Sequence, residues 1–202
     1  FSDRDFDVPV PDTESLTSDG SYVYFSYRTT IENYLLDFEN VEQYSKGKSW
    51  YSGNLKELYD QAATEIKYFQ ATRHTLGKMR VPTDFGSNIM EKSGVLPDDL
   101  SEDFCRNAGY QKIEQSLNSI KHWNREEYDK VYDEFLQLLD DDFIKSGQFL
   151  IYFQGKDFMK ALCKVLPGFS PKHYYQFAKS KFDKNKYGDF IQLRKMIEEA
   201  LK

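Results

Sequence analysis

Asp3 and Asp5 stand one residue apart in the opening stretch SDRDF, so they share a face wherever that backbone is extended. Same-face neighbours on a strand lie about 6.5–7 Å apart. Over that span two carboxylates bracket a hard cation such as Mg²⁺, which takes oxygen ligands at about 2.0–2.1 Å. Phe1 would pack in the sheet on the same side, Arg4 would point the other way, and Asp7 would fall past the strand end; the plainer alternative is a solvated loop. Glu32, in RTTIENYLLD, sits among apolar neighbours. It either lines a cleft or caps a helix start, or it pairs with Arg28 one turn away. Lys156, in YFQGKDF, follows a strand-like apolar run and Gly155. Its ammonium would emerge at a sheet edge, where a close backbone approach is allowed and a phosphate oxygen could be neutralised, unless it is an ordinary surface lysine.

Other motifs carry less. Gly47, Lys48 and Ser49 resemble the end of a phosphate-binding loop, but the glycine required five residues upstream is Glu42, and Lys156 is followed by Asp157 rather than Ser or Thr. His74, His122 and His173 lie in three separate segments without the spacing of a zinc site. The acid run LDDDF reads as a solvated turn at a helix end. Lys172, Lys179, Lys181, Lys184 and Lys186 alternate with Tyr and Phe, a pattern able to touch a nucleic acid backbone but equally that of lysines ringing a packed helix.

The elements that must position these residues read as strand, loop, strand over 1–25, with YVYFSY at 22–27 as the second strand and a helix start at Thr29 or Thr30. Apolar spacings of 3, 4 and 7 predict helices over Leu55–Phe69 and Tyr128–Leu139, with a weaker one near 110–123. The polar, Gly- and Pro-bearing connection between 80 and 103 predicts a mobile loop. GQFLIYF predicts a closing strand, DFMKALCKV a helix stopped by Pro167 and Gly168, and GDFIQLRKMIEEALK a last helix packing Phe190, Leu193, Ile197 and Leu201. The expected fold class is α/β: a sheet edge from 1–49 and 148–202 around a helical insertion over 50–147, one domain that is predominantly α-helical by residue count.

Composition bounds the function. The 202 residues are 40% hydrophobic and 16% aromatic, enough for one packed core. A net charge of −6 disfavours binding nucleic acid through bulk electrostatics, though not chemistry on phosphates through a cation. Cys105 and Cys163 show neither metal nor redox spacing, which suits a reducing cytosol. With no apolar run long enough to cross a membrane and no signal-peptide pattern, a cytoplasmic protein is expected.

In order, SDRDF, RTTIENYLLD and QGKDFMKAL resemble the second half of the TOPRIM domain of OLD-type nucleases and related anti-phage effectors. The match covers 3–6, 28–37 and 155–162, while 50–147 carries no family signal. The resemblance implies a TOPRIM-like, Rossmann-like sheet edge and an endonuclease cutting DNA or tRNA with Mg²⁺ or Mn²⁺. Asp3 and Asp5 would be metal ligands, Glu32 a second-metal or water-positioning residue, and Lys156 the group that stabilises phosphate charge. It further implies an ABC-type ATPase, fused or separate, and frequent homodimerisation. The family's first-strand glutamate would lie upstream of Phe1, so the chain reads as a fragment. The rival reading is a non-catalytic helical adaptor that keeps the sheet edge without the chemistry.

Overall fold

Residues 4, 10–18, 20, 23–51, 53–79, 95–116 and 124–201 are described by the computed structural model; Asp3 and Asp5, His122 and most of the loop expected over 80–103 lie outside them. Two short strands, β1 (Thr17–Ser18) and β2 (Tyr24–Phe25), pair antiparallel across Gly20, with Thr17 opposite Phe25 and Ser18 opposite Tyr24. The strand expected over 22–27 is thus reduced to two residues. A 3₁₀ turn over Ile31–Leu35 leads into α1 (Phe38–Ser45), α2 (Leu55–Glu65) and α3 (Lys67–Lys78). The one helix expected over 55–69 is divided between α2 and α3, because buried Ile66 breaks the α geometry (φ −98°, ψ 3°).

There follow α4 (Glu102–Ser116), α5 (Arg125–Leu138), α6 (Asp141–Lys145), α7 (Phe149–Tyr152), α8 (Gly155–Val165), α9 (Pro171–Lys181), a 3₁₀ turn over Lys184–Lys186 and α10 (Gly188–Ala200). Local chemistry explains the boundaries. Asn124 and Glu127 form a reciprocal capping box at α5, with side chain to backbone distances of 2.8 and 3.1 Å. Asp140, in the acid run, caps α6 by accepting from the Phe143 N–H. Pro167 and Gly168 end α8 as expected, Gly168 in the left-handed region (φ +94°) with the Trp50 ring packed over it. Pro171 opens α9 where no intrahelical N–H is needed.

The chain is predominantly helical, and its core lies between helices. α2 packs on α8, α3 on α4 and α5, and α1 on α9. Tyr59, fully buried, meets Phe158 edge-on at 5.0 Å and Phe149 at 5.6 Å, and its hydroxyl donates to the Leu36 carbonyl at 2.7 Å. Full burial of each such ring contributes roughly 1.5–3 kcal/mol.

Two expectations are corrected. The closing strand is absent: Phe149–Tyr152 is a helical turn, with Phe149 and Leu150 buried, since a four-residue apolar run surrounded by core satisfies either geometry. The last helix packs only through its first turns. Ile197 and Leu201, assigned to a packed face, are 51% and 81% exposed.

Candidate functional site

The residues IENYL form the 3₁₀ turn, and each has a separate task. Asn33, fully buried, donates both amide protons to backbone, to the Leu150 carbonyl at 2.7 Å and the Phe153 carbonyl at 2.8 Å, and its Oδ1 accepts from the Thr30 hydroxyl at 2.5 Å. The Thr30 oxygen in turn accepts from the Gly155 N–H at 3.2 Å. Thr29 adds a backbone bond to the Ile151 carbonyl at 3.1 Å, and its hydroxyl lies 2.7 and 2.8 Å from the Ile151 and Tyr152 carbonyls. Residues 29–33 therefore clasp residues 150–155 through backbone carbonyls, which must find donors once buried. The joint is made mainly by side chains, with one backbone bond from Thr29, where a sheet ladder had been expected.

Gly155 is required by this joint. A Cβ there would fall 2.5 Å from Asn33 Oδ1 and 2.8 Å from both Glu32 Cβ and Thr30 Oγ1. The bare backbone lets the start of α8 touch the 3₁₀ turn, and so brings Lys156 to Glu32, Nζ to Oε1 at 3.6 Å. Lys156 thus belongs to the first turn of a helix, not to a strand end. A cation there opposes the helix dipole by about 0.3–1 kcal/mol, which the Glu32 carboxylate offsets; the half-exposed pair itself is worth at most about 1 kcal/mol. Behind it, fully buried Asp157 accepts from Gln70 Nε2 at 2.9 Å and lies 3.6 Å from Arg73 Nε, which anchors this turn to α3.

Arg28 is not the partner of Glu32. Its Nη1 donates to Asp37 at 2.6 Å and to the Asn33 carbonyl at 2.7 Å, and its guanidinium lies 5.1 Å from the ring centres of both Tyr34 and Tyr187. The Tyr34 hydroxyl donates to buried Asp189 at the start of α10, and Asp189 also accepts from the Tyr27 N–H at 2.9 Å. Burial, with the Asp189 carboxylate beside it, holds the Tyr34 phenol far above its ordinary pKa.

Arg4, flanked in sequence by Asp3 and Asp5, is buried against the same joint. Its Nη2 donates to the Ile151 carbonyl at 2.5 Å and its Nε to the Tyr27 carbonyl at 3.1 Å, and burial pulls the guanidinium down to about 10. Residue 4, residues 27–33 and residues 151–156 thus meet in one place. Of the four residues read as chemical, Glu32 and Lys156 are brought together; Asp3 and Asp5 lie outside the described residues.

On its other side Glu32 borders a cleft of about 300 Å³ lined also by Ile31, Leu35, Tyr175, Lys179 and Phe182. Burial, and the nearby Glu32 carboxylate, push the Tyr175 phenol upward. Tyr175 and Lys179 are four residues apart on α9, hence on one face. Of the five lysines in the basic-aromatic stretch, Lys179 lines this cleft. Asn33, Asp157 and Asp189 were missed, although a polar residue inside an apolar run is the available signal for a buried staple. His74 is buried on α3, its Nε2 2.7 Å from the Tyr152 carbonyl, while His173 is exposed on α9. No family model, curated protein or solved structure matches the chain.

Proposed function

We propose that the chain contributes to a TOPRIM-like, divalent-metal-dependent nuclease site acting in anti-phage defence, with Asp3, Asp5 and Glu32 as metal-associated carboxylates and Lys156 as the phosphate-facing cation. One observation carries the reading: Glu32 and Lys156, 124 positions apart in sequence, meet at 3.6 Å on the joint against which Arg4, the middle residue of the D-R-D run, is buried. All three proposed ligands are carboxylates, the donors that Mg²⁺ or Mn²⁺ takes. When bound, such a cation lowers the pKa of its water and offsets phosphate charge.

The chain's own groups do the rest. Glu32, held by Asn33 and Thr30, orients a water or a ligand from a turn whose backbone is pinned on both sides. Lys156 offers a half-exposed ammonium to a phosphate oxygen, and loses little on leaving Glu32 to do so. An ABC-type ATPase, fused or separate, and a second copy of the chain are the partners proposed with it.

The test is Mg²⁺-dependent cleavage of DNA and tRNA by the full-length protein. Asp3→Ala, Glu32→Gln and Lys156→Ala should each abolish cutting, the last two while leaving thermal stability within about 1 kcal/mol of the parent. Cleavage that survives both Asp3→Ala and Lys156→Ala would sink the assignment and fit the helical adaptor instead.

A further inference from the structure

The cleft beside Glu32 has walls of a different kind from the Glu32–Lys156 pair it adjoins. Tyr175 and Phe182 supply aromatic faces, Ile31 and Leu35 an apolar floor, and Lys179 a cation at the rim. Phe182 is held in place by stacking on Tyr187, at 5.6 Å and 14° between planes. Ile31 is 41% exposed, so its apolar side chain is open to the cleft. At about 300 Å³ the cleft stands at the small end of ligand sites, far too narrow for a duplex.

Resting on the nuclease reading above, we infer that this cleft takes one unpaired base of the strand being cut, next to the phosphate at Glu32 and Lys156, so that the substrate is single-stranded or locally opened nucleic acid. Charge decides which part of a nucleotide enters. A phosphate inside the cleft would be repelled by the Glu32 carboxylate that lines it, whereas an uncharged base would not, and the phosphates on either side of the base would be left to Lys156 and Lys179. The aromatic walls match the planar faces of any base, the sequence-tolerant mode by which single strands are held.

The experiment uses the full-length protein in EDTA, so that binding is read without cleavage. The probes are a single-stranded DNA of about 12 nucleotides, the RNA of the same sequence and the DNA duplex, each carrying a fluorescent base analogue whose emission is quenched on stacking. The single strands should bind and be quenched; the duplex should bind more weakly and show no quenching. Tyr175→Phe should keep the quenching. Tyr175→Leu should lose it and weaken single-strand binding about 5- to 150-fold, the range for removing one base–aromatic stack. Lys179→Gln, at an exposed position, should lower the slope of log affinity against log salt by about 0.7, so the inference stays testable even if Tyr175→Leu folds poorly. Equal affinity for duplex and single strand, or unchanged quenching in Tyr175→Leu, would overturn the base site. Strand binding with normal quenching but no Mg²⁺-dependent cleavage would instead overturn the nuclease reading and leave the base site standing.

Discussion

Gly155→Ala tests the contact on which the site depends. The new Cβ would lie 2.5 Å from Asn33 Oδ1 and 2.8 Å from Glu32 Cβ and Thr30 Oγ1, where ordinary contact begins near 3.4 Å. The 3₁₀ turn must therefore move by 0.9 Å (3.4 − 2.5) relative to α8, or by 0.6 Å (3.4 − 2.8) at the gentler contacts. Asn33 cannot swing aside cheaply, because both its amide protons are committed to buried carbonyls and its oxygen to Thr30. Overpacking of this kind costs about 1–3 kcal/mol, loosening the Thr30 bonds adds about 1 kcal/mol, and alanine's better helix propensity returns at most about 1 kcal/mol. The net loss is about 1–3 kcal/mol, a fall of roughly 2–12 °C in Tm for a domain of this size. Calorimetry and urea titration read it directly, with Gly53→Ala, whose added Cβ meets nothing within 4 Å, as the control. Equal stability of the two variants would refute the close apposition of the 3₁₀ turn and α8.

Three further outcomes are expected. Burial lowers the His74 pKa from 6.5 to about 3, so the unfolded chain binds the extra proton between those values and His74 costs stability as pH falls through that window, by about 2 kcal/mol at pH 5. His74→Gln, which keeps a donor for the Tyr152 carbonyl, should flatten urea stability over that range relative to the parent; parallel pH profiles would contradict it. Tyr34→Phe removes a donor to fully buried Asp189 and the acceptor of the Arg28 N–H, and should cost about 2–3 kcal/mol with loss of amide protection in α10, whereas Tyr51→Phe at an exposed site should not. Gly109→Ala would drive a methyl into the Tyr128 phenol and should destabilise by about 1–3 kcal/mol despite alanine's helical preference, as urea midpoints would show.

What could be read from the sequence followed the strength of each periodic signal. Tyr128 to Leu139 and the Pro167–Gly168 stop were legible because apolar spacing and termination chemistry agree there. FLIY was misread because a short apolar run has no period to consult, and the start of α4 at Glu102 was missed because its first turn is polar, with Ser101 accepting from the Phe104 N–H at 3.3 Å. At the site, Glu32 and Lys156 could be singled out by type, but not their means of approach. That depends on Asn33, Thr30 and the absence of a side chain at Gly155, a three-way fit between segments more than 120 residues apart that leaves no local pattern.

The way residues 27–34 are held also has a bearing on synthesis. Their partners include Ile151, Phe153, Gly155 and Asp189, more than 115 residues further along the chain, so the segment completes its hydrogen bonds only after those residues have been made. A growing chain that stops before residue 150 should expose Thr29–Leu35 to proteases that spare it in the finished protein. Such an arrangement delays the meeting of Glu32 and Lys156 until residues 150–156 have been made.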